Sequence, residues 1–409
     1  MSQPGAVASA DVAVIGGGIV GAAAAYELAS AGLSVVLVER DDLASGASGR
    51  NPGFVWMHTR RSGPQMVLSK RTRARFDGLT EELDHDFDLR REGGLIFFRT
   101  PAQQTLMREF VAARQADGID VALLDGDEAR DLCPMLPDDA LGATYCREDA
   151  QITTRKLVEG LARGAERRGA RVLRGVEATT IALAGDRVSA LETTAGRIDC
   201  GAIVLAAGVW SPLLAARLGI ELPIVPMRLQ VVATDVQPPM LRHLVYGPQA
   251  ITQYDLFHAL PSYRPEDFVE EPGGAGDLPF LELACQTAEG RFLLGCPMDM
   301  PAGLQDQPDL GGVAQICRRL PASLPSLRSM RFERAWAGLL PHTADSLPVI
   351  DEAPGVEGLV IAAGHVFGNS SALATAELVA ARVTRATPPF ELDGVAFGRD
   401  GLSGDGSRW

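Results

Sequence analysis

The sequence predicts an α/β protein with two interleaved domains, the larger of which contains a parallel, Rossmann-type sheet. An apolar run at 12–15 leads through three glycines into a helical segment, and a second apolar run at 35–38 ends at Glu39. Two further apolar runs that end in glycine return far downstream, at 203–208 and 359–364. Short continuous apolar runs are typical of buried parallel strands, and strands that alternate with helices are typical of α/β sheets. We therefore expect all four runs in one sheet.

The first βαβ unit, residues 11–40, carries a nucleotide-binding fingerprint. Gly16, Gly18 and Gly21 match G-x-G-x-x-G between the strand and the helix. The first glycine permits a tight turn, the second lets the backbone approach a pyrophosphate, and the third lets helix and strand pack closely. Glu39 ends the next strand, where its carboxylate can accept hydrogen bonds from ribose hydroxyls, which disfavours the 2′-phosphate of NADP. The unit predicts a dinucleotide site; a tight turn without a ligand is the alternative.

Composition limits the partners of the chain. The 409 residues include 38 basic and 52 acidic side chains, for a net charge of −14, and 46% are apolar. A surface this acidic repels phosphate backbones and anionic lipid, so we expect no nucleic-acid partner and no membrane span. The six cysteines form no CxxC pair, which argues against a disulfide framework and against a metal site. We expect a cytoplasmic protein that acts on a small molecule, as a homo- or hetero-oligomer.

Changes in amino-acid composition along the chain predict how the two domains alternate. Stretches richer in proline and turn residues interrupt the strand-and-helix pattern. We assign 1–85, 146–220 and 331–409 to the nucleotide domain, and 86–145 and 221–330 to a substrate domain.

Several local features follow from the same reading. We expect a helix over 153–168 and a small antiparallel meander over 171–198 with turns at 184–186 and 195–196. Four prolines and a Gly-Gly-Ala-Gly predict a long loop or lid at 261–279. The first nine residues and the tail after Asp393 are predicted to be disordered.

The segment after Glu39 distinguishes between dinucleotides. Residues 43–53 form a long loop of small residues rich in hydroxyl and amide groups. Such a loop can wrap a second, larger part of a cofactor, which favours FAD over NAD; a plain surface loop is the alternative.

The order and spacing of four motifs resemble the D-amino-acid oxidase superfamily of FAD enzymes, which includes glycine oxidase, sarcosine oxidase and the D-amino-acid and opine dehydrogenases. The motifs are the glycine unit with Glu39-Arg40, Ser-Gly-Arg-Asn-Pro-Gly at 48–53, Ala-Ala-Gly-Val-Trp-Ser at 206–211, and the stretch from Ala335-Trp-Ala-Gly338 to Gly364-His365. The resemblance implies an FAD-binding domain of the glutathione-reductase type and an α+β substrate domain with a mainly antiparallel sheet.

The resemblance also implies where the cofactor lies. Glu39 and Arg40 would meet the adenosine ribose and its surroundings, and Val176 would offer backbone atoms to adenine. Residues 364–371 would open the last helix against the flavin O2 edge. The residues that would follow the pyrophosphate toward the isoalloxazine are Ser48, Asn51, Pro52, Gly53 and Phe54. The cofactor-binding residues implied in this way are Gly16, Gly18, Ile19, Val20, Gly21, Glu39, Arg40, Ser48, Asn51, Pro52, Gly53, Phe54, Val176, Ala207, Gly208, Trp210, Gly338, Gly364, His365, Gly368, Asn369 and Ser370.

The implied reaction is oxidation of a C–N bond: the flavin accepts a hydride from the carbon beside an amine, and the imine hydrolyses. Family members that oxidise free amino acids anchor the carboxylate with an arginine directly before the proline that is Pro341 here. That position is Leu340 in this chain. Either Arg60, Arg61 or Arg228 substitutes, or the substrate presents something other than a simple α-carboxylate.

Candidate catalytic residues are few, because the flavin carries the chemistry. Each of them is also compatible with packing or cofactor contact. They are His58, Tyr254, His258, His342 and His365.

Two further questions concern the flavin itself. His58 or Cys296 could attach FAD covalently, although a buried apolar cysteine is the more ordinary reading. Only two lysines are present, and Lys70 is the one that could promote reaction with oxygen. This favours a dehydrogenase that passes electrons to a quinone or protein acceptor, or an oxidase that activates oxygen with another cation.

Two other functions remain open on the same scaffold. One is an FAD-dependent 2-hydroxy-acid or alcohol dehydrogenase, and the other is a flavoprotein subunit of a hetero-oligomeric dehydrogenase. A plain NAD-dependent dehydrogenase is disfavoured.

Overall fold

Two eight-stranded sheets and a two-stranded ribbon organise the part of the chain that the computed structural model describes, residues 8–268 and 276–403. In chain order the strands are β1 Ala8–Ile15, β2 Val35–Glu39, β3 Phe54–Val55, β4 Gly94–Phe98, β5 Val121–Asp125, β6 Gly142–Cys146, β7 Ala150–Gln151, β8 Arg171–Arg174, β9 Ala178–Ala184, β10 Arg187–Thr193, β11 Gly196–Leu205, β12 Val225–Val236, β13 Leu244–Tyr246, β14 Phe280–Gln286, β15 Arg291–Asp299, β16 Phe332–His342, β17 Val349–Glu352 and β18 Leu359–Ala363.

Helices pack against both sheets. In chain order they are α1 Ile19–Ser30, α2 Ala47–Arg50, α3 Pro64–Arg75, α4 Leu79–Leu83, α5 Pro101–Ala116, α6 Gly126–Leu132, α7 Thr154–Glu166, α8 Ser211–Ala216, α9 Asp255–His258, α10 Leu310–Ser323 and α11 Ala372–Thr384.

The first sheet has the strand order β17-β18-β11-β1-β2-β8, and its central strands are parallel. The predicted runs at 203 and 359 are neighbours in it, since Ile203 pairs with Leu359 in parallel register. The helix expected at 153–168 is α7, which begins after Thr153. The α/β prediction for this half of the molecule is thereby confirmed.

The predicted meander is partly wrong. Strands β9, β10 and β11 do form an antiparallel unit with turns where expected. Residues 171–174, however, form β8, which pairs in parallel with β2 at the edge of the sheet. The sequence of a four-residue strand is too short to predict which strand it pairs with, and β8 pairs with β2.

One face of the first sheet is covered by α1, α7 and α11, whose small residues permit close packing. Ala22 to Ala25 on α1 are fully buried. Gly164 on α7 lies so close to Tyr26 that an added Cβ would be 2.7 Å from that ring. The close packing holds the N-terminus of α1 at the carboxyl edge of the sheet.

The second sheet has the strand order β16-β12-β15-β14-β13-β4-β6-β5 and is antiparallel except where β13 pairs with β4. This agrees with the mainly antiparallel sheet that the resemblance implied. The predicted segment boundary at 330/331 falls before β16, which pairs with β12 from Thr234 to Val225 and therefore belongs to the second sheet. The chain returns to the first sheet only after His342. The predicted boundary was placed where the proline-rich composition ends, and composition does not show to which sheet a strand of mixed polarity such as β16 belongs.

Two predicted irregular regions are seen in part. Of the loop expected at 261–279, residues 269–275 lie outside the described residues; on its C-terminal side Asp277 pairs with Arg318 and Arg319. The expectation of disorder after Asp393 is wrong for 394–403, where Val395 and Leu402 are buried in the cores around the first sheet. No helix in the described residues is long and apolar enough to cross a bilayer.

Candidate active site

A cavity of about 660 Å³ runs from the carboxyl ends of the first sheet to the inner face of the second. Its outer end, the nucleotide end, is lined by the first glycine turn, the end of β2 and the segment after β11. Its inner end we call the inner chamber, lined by Phe54, Trp56, Arg60, Leu229, Tyr246, Tyr254, Leu281, Leu283, Cys296, Leu340, Val366 and Phe367. Ligands of open α/β sheets bind at this edge of the strands.

The glycine turn brings the N-terminus of α1 to the cavity wall. Gly16 has φ +110°, and a Cβ there would lie 2.4 Å from the carbonyl oxygen of Ala206. At Gly21 a Cβ would lie 1.9 Å from the carbonyl oxygen of Gly16. Gly18 lines the cavity together with Ile19 and Val20. The first N–H groups of α1, which have no partner within the helix, and the positive end of the helix dipole therefore face the cleft.

Glu39 at the end of β2 anchors the same turn. Its Oε2 accepts a hydrogen bond from Gly17 N–H at 2.6 Å, and its Oε1 accepts one from Asp41 N–H at 2.9 Å. Next to it, the guanidinium carbon of Arg40 lies 4.8 Å from the ring centroid of Trp210. All of these except Gly17 line the cavity.

Val176 lies beside this end rather than on the wall. Its N–H donates to the carbonyl oxygen of Glu39 at 2.9 Å, while the following residues Glu177 and Ala178 line the cavity. On the opposite wall, Ala207 and Gly208 follow β11.

The small-residue loop after β2 is held in place by Ser48 and Asn51. Ser48 Oγ accepts a hydrogen bond from Ile19 N–H at 3.0 Å. Asn51 Oδ1 accepts from Gly53 N–H and from the hydroxyl of Thr154, and its amide donates to the carbonyl oxygen of Ser48. Pro52 and Phe54 line the cavity. Gly53 does not, because with φ +86° it backs onto Ile152 O, only 2.0 Å from where a Cβ would lie.

Arg50 is a lining residue that the sequence analysis did not propose. Its guanidinium pairs with Asp306 at 2.7 Å and donates to the carbonyl oxygen of Ala337 at 3.0 Å. Gly338 lies behind it, where a Cβ would be 3.2 Å from Arg50 Cβ. The arginine in the Ser-Gly-Arg-Asn-Pro-Gly loop was the available signal, but its partners Asp306 and Ala337 lie more than 250 positions away.

Aromatic rings form much of the inner chamber. The ring centroid of Tyr246 lies 4.3 Å from that of Trp56 and 5.5 Å from that of Phe54. A hydrogen bond of 3.2 Å joins the hydroxyls of Tyr254 and Tyr246. Burial raises the pKa of both tyrosines, so both hydroxyls stay protonated.

Arg60 is the cation of the inner chamber. It is 2% exposed, its Nε donates to the carbonyl oxygen of Trp56 at 2.9 Å, and its guanidinium carbon lies 3.3 Å from the ring centroid of Phe367. Nη1 is buried and has no hydrogen-bond partner among the described residues. Burial lowers the pKa of Arg60 from its usual value, but an arginine remains charged in proteins.

The other two arginines proposed in place of Leu340 lie elsewhere. Arg61 donates to the carbonyl oxygen of Asp345 and lines a separate, smaller cavity. Arg228 is bound by the carboxylates of Asp299 and Asp309, both at 2.7 Å. Of the three, Arg60 alone lines the inner chamber.

Comparison with known proteins agrees with this geometry. The profile of the DAO family, described as FAD dependent oxidoreductase, matches residues 11–382. The chain belongs to this family of FAD-dependent oxidoreductases. It is 29% identical to glycine oxidase of Geobacillus kaustophilus over 93% of this chain and 95% of the relative, and 26% identical to sarcosine oxidase subunit beta of Rhizobium meliloti over 90% and 83%. The crystal structure of the Geobacillus glycine oxidase matches with a TM-score of 0.83 and 26% identity, over 96% of this chain and 99% of that one.

The cofactor is therefore FAD, and the cleft fits it. A glycine cradle that Cβ atoms would fill lies at one end, and an elongated cavity continues from it into an aromatic chamber. A dinucleotide needs such a close backbone approach at its pyrophosphate, and a flavin ring needs the flat apolar surface.

The loop before α11 lines a further part of the FAD cavity. Gly364, His365, Gly368, Asn369 and Ser370 line it just before α11 begins. The first N–H groups of this helical segment have no partner within the helix, as at any helix N-terminus.

The five catalytic candidates differ in whether they line the cavity. Tyr254 and His365 line the cavity, and the other three do not. His58 lies behind Trp56, with Nδ1 bonded to Asp149 and Nε2 to Thr144.

His258 and His342 are likewise displaced from the FAD cavity. His258 Nδ1 lies 3.5 Å from the carboxylate of Asp255, and its ring is tilted by 36° against that of Tyr263, with the centroids 4.4 Å apart. His342 is buried at the end of β16, with Nδ1 3.1 Å from the carbonyl oxygen of Thr343, and burial lowers its pKa. His342 does not line the cavity, although Leu339, Leu340 and Pro341 just before it on β16 do.

His365 is held neutral. Its Nε2 lies 2.9 Å from the hydroxyl of Thr375, and complete burial lowers its pKa to about 3. It can shape the wall of the FAD cavity but does not exchange a proton near neutral pH.

The remaining candidates concern covalent attachment of FAD and its reaction with oxygen. Cys296 lines the inner chamber, where burial raises the pKa of its thiol. Lys70 donates to the carbonyl oxygen of Gly118 at an exposed position, and Lys156 pairs with Asp88, so neither lysine lines the described FAD cavity.

Three buried residues next to the chamber, His58, Cys146 and Asp149, carry atoms that could bind a metal ion. Their hydrogen bonds are those of a structural network. The ligand atoms of His58, Cys146 and Asp149 lie within 4.8 Å of one another. Asp149 already accepts the N–H groups of Met57 and His58, and burial raises the pKa of the Cys146 thiol. The trio supports the wall that carries Trp56.

Proposed function

We propose that this FAD-dependent oxidoreductase oxidises the C–N bond of an amino acid or secondary amine. The observation that carries the proposal is the chemistry of the inner chamber, which in the described residues offers an arginine, two protonated tyrosines and apolar side chains but no carboxylate. The imidazole of His365 on the adjoining wall is neutral and engaged with Thr375. A neutral amine can lose a hydride without a protein base, because its own lone pair forms the C=N bond.

This chemistry favours an amine over a hydroxy acid. Oxidation of an alcohol carbon requires that the hydroxyl proton be taken as the hydride leaves, a role that histidine usually fills. His58, His258 and His342 all lie away from the chamber.

The overall reaction balances with water and an electron acceptor. FAD, when bound, accepts a hydride from the substrate carbon that bears nitrogen. The N–H proton passes to water, and water hydrolyses the imine to a carbonyl compound and ammonia, or an amine where the substrate nitrogen carries an alkyl group. The two electrons then leave to oxygen, a quinone or a protein acceptor.

The proposed cofactor contacts follow the cavity. The N-terminus of α1 would face the pyrophosphate and Glu39 the ribose of the adenosine half. Phe54 and the 364–370 loop would adjoin the flavin, with the N–H groups before α11 placed to stabilise negative charge on it. Arg50 is added to the residues proposed from sequence.

The acceptor is proposed from the surroundings of the inner chamber. Since neither lysine is near it, Arg60 is the only chamber cation in the described residues that could promote reaction with oxygen. We infer either a dehydrogenase that uses a quinone or protein acceptor or an oxidase in which Arg60 is the cation that activates oxygen. The cytoplasmic location stays a prediction.

A second candidate function is supported by the similarity to sarcosine oxidase subunit beta. On this proposal the chain is the FAD-carrying subunit of a hetero-oligomer. Such a subunit would be inactive with an artificial dye until its partner is added, whereas an independent enzyme would reduce the dye alone.

Anaerobic bleaching of the flavin tests the reaction class. The purified, FAD-loaded protein is mixed with amino acids, N-alkyl amino acids and 2-hydroxy acids, and the flavin absorbance is followed. Bleaching by amines is the expected result. Bleaching by hydroxy acids alone would overturn the proposal.

A further inference from the structure

Two segments without a buried residue meet at one wall of the FAD cavity. Residues 45–50, which include α2, belong to the loop after β2, and residues 300–306 follow β15. Ser45, Arg50 and Asp306 line the cavity. A segment with few buried contacts opens locally at a low free-energy cost, so its polar contacts determine how often it opens.

Arg50 joins the two segments. Its Nη1 lies 2.7 Å from the carboxylate of Asp306, and the side chains of Arg50 and Asp306 are 31% and 33% exposed. Its Nε donates to the carbonyl oxygen of Ser45 at 3.1 Å, which keeps the guanidinium against its own segment. A partly exposed ion pair is weakened by salt, and water solvates both charges when it separates. The pair is therefore a tie that can open and close.

Two hydrogen bonds also tie Arg50 to β16. Its Nη1 donates to the carbonyl oxygen of Ala337 at 3.0 Å, and the indole N–H of Trp336 donates to the carbonyl oxygen of Arg50 at 2.8 Å. Trp336 is not among the described residues that line the FAD cavity. The bond from its indole can therefore be removed without a change in charge or in the cavity wall.

The loop that carries Asp306 is clamped at both ends. Arg228 binds the carboxylates of Asp299 and Asp309, both at 2.7 Å. The same guanidinium donates to the carbonyl oxygen of Gln307 at 2.8 Å. Residues 300–306 are therefore the part of this loop that is free to move between fixed ends.

We propose that residues 45–50 and 300–306 form an entry gate for FAD and that the ion pair of Arg50 and Asp306 is its latch. The gate opens when Arg50 releases Asp306 and β16, and FAD then enters or leaves between the two segments. A latch of this kind slows entry and release together, because it raises the barrier between the free and bound states. The inference concerns the cofactor alone and is independent of which substrate is oxidised.

Exchange of bound FAD tests the gate in the intact holoenzyme. The FAD-loaded protein is mixed with an excess of 5-deaza-FAD, and the FAD that remains bound is measured after rapid gel filtration at successive times. The Kd of FAD is measured separately by dilution. In Asp306→Asn we expect release to be about fivefold faster, as for loss of a partly exposed ion pair, and the Kd to change by less than about twofold.

The loss of charge alone acts in the opposite direction. FAD is an anion, so removal of a carboxylate from the cavity wall would by itself tighten binding and slow release. Trp336→Phe repeats the test without a change in charge, because it removes only the indole N–H that bonds to the carbonyl oxygen of Arg50. We expect release from this variant to be about threefold to fivefold faster, again with a Kd within about twofold of wild type.

Gln305→Ala and Asp306→Glu are the matched controls. Gln305 is exposed next to Asp306, and its replacement should leave the release rate at the wild-type value. Asp306→Glu keeps a carboxylate for Arg50, so release should stay within about twofold of wild type. Salt gives a further comparison: about 0.5 M NaCl should speed release from wild type about threefold and from Asp306→Asn by much less, because that variant has no ion pair to screen.

Two results would overturn the gate. Unchanged or slower release in either Asp306→Asn or Trp336→Phe would show that these contacts of Arg50 do not form a latch. Faster release with a Kd that rises by the same factor would show that the contacts stabilise bound FAD and do not close a passage. Bleaching by amines plays no part in this test, so the gate and the proposed reaction class fail separately.

Discussion

Asn369 donates a hydrogen bond from Nδ2 to Oδ1 of Asn51 over 2.9 Å, although 318 positions separate the two residues. Asn369 also donates to the carbonyl oxygen of Phe54. The bond ties the loop after β2 to the loop before α11, and both loops line the FAD cavity. Two loops that line the FAD cavity are thus joined through one amide oxygen.

Replacing Asn51 with alanine should loosen both walls. The change removes an acceptor shared by Gly53, Thr154 and Asn369. Thr154 and Asn369 keep one other acceptor each, whereas Gly53 N–H loses its acceptor in the loop. We expect FAD to bind about 10- to 100-fold more weakly and the free energy of unfolding to fall by about 2 kcal/mol. FAD affinity is measured by recovery of flavin fluorescence on dilution. Thr105→Ala, on the exposed side of α5, is the control, and equal FAD affinity in both variants would contradict the prediction.

Gly21→Ala tests the close contact between α1 and the first turn. The new Cβ would lie 1.9 Å from Gly16 O, and backbone on both sides prevents an easy shift. We expect the free energy of unfolding to drop by about 3 kcal/mol, with loss of FAD. Gly201→Ala is the matched control, since its Cβ would meet nothing closer than 3.9 Å. Thermal unfolding of the two variants with and without added FAD gives the comparison, and similar midpoints would refute the argument.

The nucleotide end was predictable because its parts lie close together in sequence. Gly16, Gly18, Gly21 and Glu39 fall within one βαβ unit, and the backbone geometry that they permit determines their positions. Helix α7 and the presence of β11 and β18 in one sheet were predictable for a similar reason, because apolar periodicity indicates burial directly.

The inner chamber was not predictable to the same degree. Trp56, Tyr246, Cys296 and Leu340 come from four distant segments, and no local pattern indicates that they meet. Arg60 and Arg61 are neighbours of one type, and only the turn of the backbone sends the first into the chamber and the second out of it. The positions of His58, His258 and His342 outside the cavity were unpredictable for the same reason, because sequence position does not show which segments pack around a side chain.

His365 should make stability depend on pH. Its pKa is lowered to about 3 in the folded protein from 6.5, so below about pH 6.5 the unfolded chain binds a proton that the folded one does not. The contribution is complete above about pH 6.5 and is lost as the pH falls toward 3.

Between about pH 8 and pH 5 this loss amounts to about 2 kcal/mol. Urea unfolding of wild type and His365→Asn at both pH values measures it, because other groups affect the two proteins alike. The variant should lose about 2 kcal/mol less than wild type over this interval. Parallel pH dependence in the two proteins would show that His365 is not the buried neutral group described.

FAD should be held without a covalent bond. The thiolate is the nucleophilic form of cysteine, and burial raises the pKa of Cys296, so the thiol stays protonated in the chamber. His58, the other candidate, lies outside the cavity with both ring nitrogens bonded to Asp149 and Thr144. Acid precipitation should therefore leave the yellow colour in the supernatant and a colourless pellet. A yellow pellet in wild type that becomes colourless in Cys296→Ser, but not in the exposed control Cys317→Ser, would establish the thioether instead.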